Sequence, residues 1–297
     1  MLPGMTRKPR IAIVGAGNLG TALALSLRRA GYSIEAVFAR SRASLRKAQK
    51  LVKRISAAVF AAPPRAIRAD VVWFCVPDAE IGRAAQAFSG AAAWQGRVAL
   101  HSSGALASDE LKALRRQGAK VASVHPMMTF VPGSSVLGSS FEESLTGVPF
   151  AIEGDAKAVR VARRIVRDVG GQPYAIRKKD KAAYHAWGTF ASPLLVALLR
   201  TAEQVAAMAG TPRREARRRM IPILRQTLTN YVTFNAAGAF SGPIIRGDVD
   251  TVKQHLRVLK RLPPAYEAYR TLALAASYYL PGRNKIALQR TLRSAGK

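Results

Sequence analysis

One cysteine in 297 residues, Cys75, excludes an internal disulfide framework and a cysteine-rich zinc module, and a lone thiol suits a reducing compartment such as the cytoplasm. Acidic residues are scarce as well. They number 17 against 47 lysines and arginines, and the formal charge of +30 creates a positive potential that draws in anions. The signatures of hydrolases and metalloenzymes are missing: there is no H-E-x-x-H, no G-x-S-x-G and no paired-carboxylate pattern, and no metal site is expected. Residues 1–10 hold no apolar run of the kind a signal peptide needs. The longest apolar candidate for a membrane span, residues 182–209, is interrupted by His185, Arg200, Glu203 and Gln204. It is therefore expected to be a buried helix of a helical bundle, with no membrane partner. Nor do the basic residues form a stripe with interleaved aromatics. They fall on most of the expected helices, as at Arg160, Arg163, Arg164 and Arg167 and again from Arg213 to Arg219, so they read first as a solvated surface, with a basic nucleic-acid-associated protein kept as a further alternative.

What is present is an alternation. Short apolar runs at residues 10–14, 34–38, 57–60, 71–76, 98–101 and 120–125 read as strands, separated by helical segments at 19–30, 44–52, 79–88 and 107–117. Such alternation implies a doubly wound, mostly parallel α/β sheet. A loop without periodicity follows His125, carrying Pro126, Pro132, Gly133, Ser134, Ser135, Gly138 and Ser139, and loops of that length tend to be functional. One further strand–helix–strand unit is expected at 149–153, 156–169 and 173–176. Beyond Asp180 only helical segments appear, broken at 210–212, near 238–246 and at Pro263-Pro264. The expected organisation is a Rossmann domain over residues 1–178 and an all-α domain over residues 179–297.

Gly15-Ala16-Gly17-Asn18-Leu19-Gly20 places a G-x-G-x-x-G turn between the first strand and the first helix, the context in which this pattern holds a dinucleotide pyrophosphate. The second strand should then end in an acid if the cofactor is NAD, because that carboxylate binds the ribose 2′-hydroxyl. Arg40-Ser41-Arg42 stands there instead, a set that favours a 2′-phosphate, so NADP is expected. In an open parallel sheet, ligands sit beyond the carboxyl ends of the strands. Val76 and Pro77 after the fourth strand and Ser102 and Ser103 after the fifth are accordingly expected to face the cofactor, with His125 at the end of the sixth. Cys75 reads as a small buried hydrophobe.

Lys181, His185 and Thr189 recur every four residues, on one face of the first helix of the second domain. The loop Ser241-Gly242-Pro243-Ile244-Ile245-Arg246-Gly247-Asp248 ends in a good N-cap, and Thr251 and His255 share a face of the helix after it. His125, Lys181, His185, Arg246, Asp248 and His255 are thus the candidate catalytic set: His125 or His185 as proton donor, Arg246 as the anchor of an anionic group. The chemistry expected is hydride transfer between NADP and a small carbonyl or imine compound, with a non-catalytic NADP-binding sensor or scaffold as the alternative.

Taken in order, Gly15 to Gly20, Ser102-Ser103-Gly104, Val124-His125-Pro126, Tyr184-His185-Ala186 and Gly242 to Asp248 resemble the Rossmann-like proteins that carry a C-terminal domain of unknown function. These are similar to pyrroline-5-carboxylate reductases, beta-hydroxyacid dehydrogenases and deazaflavin-dependent NADP reductases. The resemblance covers nearly the whole chain. It implies a second domain like the helical C-terminal domain of 6-phosphogluconate dehydrogenase and a homodimer. The chain departs from the pattern at Met128, where glutamine is common, and at Pro193, where asparagine is common. Thr189 stands where the beta-hydroxyacid dehydrogenases place a catalytic lysine.

Overall fold

The computed structural model describes residues 7–63, 67–91, 93–131, 135–136, 139–140 and 145–295. The chain divides into two compact units, Met1–Thr189 and Phe190–Lys297.

The first unit opens with strand β1 (Ile11–Val14), helix α1 (Asn18–Arg29), β2 (Ile34–Phe38), α2 (Arg42–Ile55) and β3 (Ala58–Phe60). It continues with β4 (Val71–Phe74), α3 (Asp78–Phe88), β5 (Val98–His101), a 3-10 turn at Ser108–Leu111, α4 (Lys112–Arg116) and β6 (Lys120–Pro126). Of the long loop expected after His125, residues 132–134, 137–138 and 141–144 lie outside the described residues. Between them the backbones of β7 (Ser135–Val136) and β8 (Ser139–Ser140) pair antiparallel. β9 (Pro149–Gly154), α5 (Ala156–Asp168), β10 (Gln172–Ala175) and α6 (Lys181–Ala191) follow.

Eight strands form one sheet in the order β10-β9-β6-β5-β4-β1-β2-β3. Its β3-β2-β1-β4-β5-β6 portion is the doubly wound dinucleotide-binding order, and all of its neighbours are parallel. β9 joins β6 antiparallel. The central strands β1 and β4 are apolar and buried throughout because both faces are covered. Along β1 the side chains alternate, Ile11 and Ile13 entering the core beneath α1, α2 and α5, Ala12 and Val14 the core beneath α3 and α4.

The second unit contains α7 (Pro193–Met208), α8 (Arg213–Ala239), α9 (Pro243–Arg246), α10 (Val249–Leu259), α11 (Pro263–Tyr279) and α12 (Lys285–Ser294). Its core joins Val252, Leu256 and Leu259 of α10 to Ala265, Tyr266 and Ala273 of α11 and Leu288 and Leu292 of α12. α8 is broken at Asn235, whose backbone leaves the helical region (φ 63°, ψ −176°) and whose Oδ1 caps the chain beyond by accepting from the amides of Ala237 and Gly238.

One expectation is corrected. Residues 182–209 are not a buried helix. The stretch Lys178–Met208 is long and apolar enough to cross a membrane, but it is interrupted at Ser192 (φ −132°, ψ −78°), ahead of Pro193, and α7 contributes no buried residue. The core of the second unit is built on α10 to α12, with Val205 of α7 packed against it, while Leu194 and Val196 of α7 and Ile223, Leu228 and Val232 of α8 are exposed.

Candidate functional site

The glycine turn runs from the end of β1 into α1, beside the end of β4. Gly15 adopts φ +109°, and a Cβ there would lie 2.5 Å from the carbonyl oxygen of Cys75; at Gly20 a Cβ would lie 2.0 Å from the oxygen of Gly15. Both glycines are thus required by packing. Gly17 differs, since its φ of −73° suits any residue and a Cβ would meet nothing within 4 Å. It is the N-cap of α1, makes no side-chain cap, and leaves the first amides of the helix to bind an anion. Ala16 is buried, Leu19 half-buried, and Asn18 donates its side-chain amide to the carbonyl of Phe130 at 2.9 Å. A pyrophosphate fits this cradle, because the open side of the turn is where a side chain is missing without structural need.

After β2, Ser41 caps α2 by accepting from the Ser44 amide at 3.1 Å. Arg40 is 80% exposed and pairs with Glu80 at 3.1 Å, and Arg42 is exposed on the first turn of α2. No acid follows β2.

A polar cluster occupies the carboxyl ends of β4, β5 and β6. Ser103 donates its hydroxyl to Asp78 at the start of α3 (2.8 Å) and accepts the amide of Leu106 (2.9 Å). Its carbonyl accepts from Ser123 of β6 (3.2 Å) and from the ammonium of Lys181 (2.9 Å), which also donates to the Ser123 hydroxyl at 2.6 Å. Lys181 is 1% exposed. Burial draws it down to about 8 against the opposing fields of Glu153 and Asp78. Glu153 in turn accepts the amide and hydroxyl of Ser108. At the end of β5, His101 is fully buried, accepts the Ser103 amide on Nδ1 at 3.1 Å and reaches the carbonyl of Ala107 through Nε2 at 3.0 Å. Burial holds it neutral, down to about 4.

His125 shares a 2.7 Å hydrogen bond between Nδ1 and the hydroxyl of Tyr184 on α6. Burial, reinforced by the charges of Lys181 and His185, draws it down to about 4. Burial raises the Tyr184 phenol. Gly104 fits between two imidazoles, since a Cβ there would lie 2.8 Å from Nε2 of His125 and 2.8 Å from Cδ2 of His185. His185 is exposed, and Thr189, one turn on, spends its hydroxyl on the carbonyl of His185. Ser102 accepts the indole N–H of Trp73 at 2.8 Å; Val76 packs on the core beneath α3, and Pro77 is the N-cap of that helix. Cys75 is inert, its thiol pushed up to about 12 by burial.

The structure therefore brings His125, Lys181, His185, Ser102 and Ser103 together with Asp78, Ser123 and Tyr184, which were outside the candidate set, although Tyr184 belongs to the motif that carries the resemblance. Tyr184 had a signal, because it directly precedes His185 in an otherwise apolar helix. Arg246, Asp248 and His255 lie in the second unit. There Asp248 caps α10 by accepting the Thr251 amide and hydroxyl (3.0 and 2.7 Å), the bonds that also hold its carboxyl below the usual range. His255 bonds the hydroxyl of Tyr269 at 2.9 Å. Gly247 is needed locally, for a Cβ would lie 2.6 Å from the carbonyl of Arg283. Much of the motif from Gly242 to Asp248 thus has a structural task in its own unit.

Among solved structures, a Bacteroides fragilis protein proposed to be an NADP oxidoreductase is similar over 90% of this chain and 97% of its own (TM-score 0.73, 20% identity). A Thermotoga maritima protein matches over 97% and 100% (TM-score 0.66, 22% identity), and an imine reductase of a Pseudomonas species over 96% and 100% (TM-score 0.63, 19% identity). No curated protein matches in sequence. The Rossmann-like domain family matches residues 4–126, and the domain of unknown function DUF2520 matches residues 148–276. The chain thus joins a Rossmann-like domain to a DUF2520 domain.

Proposed function

We propose that this protein is an NADP-dependent oxidoreductase acting on a small, anionic carbonyl or imine compound. The observation that carries the reading is the pairing, at the carboxyl ends of the strands of one sheet, of an anion-binding glycine turn open at Gly17 with the His125–Tyr184 pair and His185 packed around Gly104. The fold shared with an imine reductase and with a protein proposed to be an NADP oxidoreductase supports it. Gly15 to Gly20 would hold the pyrophosphate, and Arg40, Ser41 and Arg42 the 2′-phosphate. Bound there, the dinucleotide supplies or accepts a hydride. With Tyr184 donating to Nδ1, neutral His125 keeps its proton on Nε2, the nitrogen beside Gly104, and orients a carbonyl or imine by donating to it. His185, in contact with solvent, relays the proton. Lys181 positions the Ser103–Gly104 turn from beneath.

Calorimetric titration with NADPH and with NADH at moderate salt tests the reading. NADPH should bind more tightly, and Arg40→Glu with Arg42→Glu should cut its affinity on the order of a hundredfold while sparing NADH, since each charge-assisted bond to a phosphate is worth about 1.5–3 kcal/mol. Gly17→Ala separates cofactor from fold: thermal stability is retained and NADPH affinity falls. If neither dinucleotide binds the wild type, the oxidoreductase reading is wrong.

The working form we propose is a cytoplasmic homodimer. α8 buries only Ala216, yet it exposes Ile223, Leu228, Tyr231, Val232 and Phe234, with Val232 at 84%. A second copy offering the same helices would cover them.

A further inference from the structure

The excess of positive charge in the first unit is divided unequally between the two faces of the sheet. Helices α1, α2 and α5 pack on one face, their apolar sides meeting through Leu23 and Leu27, Leu51 and Ile55, and Ala162 and Ile165. They carry thirteen lysines and arginines and a single acid, Asp168. That acid is engaged at home, accepting the hydroxyl of Tyr32 at 2.7 Å with Lys8 at 4.0 Å. The opposite layer, made by α3, the 3-10 turn at Ser108–Leu111 and α4, holds four acids against four bases. A uniform bias toward arginine would load both layers alike.

On the basic face every lysine and arginine of α2 is exposed, as are Lys157, Arg160 and Arg167 of α5 and Arg28 and Arg29 of α1. Nine of the thirteen are arginines, whose planar forks match phosphate oxygens in pairs. Among the large exposed apolar side chains none belongs to these three helices, so the face has nothing to insert into a bilayer. Neither does it offer exposed aromatics on which bases could stack.

We propose that the face formed by α1, α2 and α5 binds double-stranded nucleic acid through its phosphate backbone, without reading sequence. Neutralised phosphates release counterions, so affinity falls with salt at a slope that counts the contacts. The face lies in a single unit and, Arg42 apart, shares no residue with the site assigned to the cofactor.

The test is anisotropy of a labelled DNA duplex of mixed sequence, titrated over a series of salt concentrations. The triple variant Arg160→Gln, Arg163→Gln, Arg167→Gln avoids the residues assigned to cofactor and chemistry. It should lower the slope of log affinity against log salt by about three and weaken binding at moderate salt by about tenfold or more. A control, Arg213→Gln, Arg214→Gln, Arg217→Gln on α8, removes the same charge and should leave the slope within about one. Circular dichroism melts establish that both variants fold. Equal losses in the two variants, or no duplex binding by the wild type, would overturn the proposal. So would binding to phosphatidylserine vesicles that depends on α5 while duplex binding does not.

Discussion

Taking an imidazole out of water penalises its charged form, and His101 accordingly titrates near 4 in the fold instead of 6.5. Between those values the unfolded chain binds more protons than the native one, so stability is complete above pH 6.5 and drains as pH falls through 4. His101 accounts for on the order of 3 kcal/mol of that loss. Denaturant melts across this range should show the wild type losing stability more steeply than His101→Asn, and parallel curves would refute the assignment. Lys181 behaves alike at the other end. Lowered from 10.5 to about 8, it makes stability rise as pH climbs from 8 toward 10.5, a rise that Lys181→Met should abolish. Tyr184→Phe removes the partner of Nδ1 on His125, and turnover should fall about tenfold with NADPH affinity unchanged. Equal turnover would take Tyr184 out of the mechanism.

At the scale of elements, the two turns that shape the site answer differently to one methyl group. In Gly20→Ala the new Cβ meets backbone at 2.0 Å, which neither α1 nor β1 can relieve, so the melting temperature and cofactor binding should fall together. In Gly104→Ala the obstacles are two side chains at 2.8 Å. The fold should survive at a loss of about 1–3 kcal/mol, with the imidazoles displaced and turnover reduced more than cofactor affinity. Melting and calorimetry on the pair distinguish the two. The glycine turn was legible in the sequence because its logic is local, three glycines within six residues between a strand and a helix. The cluster was legible only in part: His125 and Tyr184 are 59 positions apart and Lys181 and Ser103 are 78 apart, and only the packing of α6 against β5 and β6 makes them partners.

For the whole molecule, the exposed faces of α7 and α8 predict self-association. Light scattering should give twice the chain mass, and Leu228→Asp with Val232→Asp, four residues apart on α8, should give the monomer. A monomeric wild type would remove the dimer from the proposal.

Alternating apolar runs and helical segments determined the α/β class, the strand count up to β6 and the dinucleotide turn, because these depend on periodicities and spacings within a few residues. Tertiary structure decided the rest. It turned Lys181 inward to brace Ser103, set Asp248 to capping a helix, left α7 and most of α8 exposed, and gathered thirteen basic residues on one face of the sheet. Each of these depends on which side of an element meets another distant in sequence, and a linear pattern places a residue on a face without saying what that face will touch.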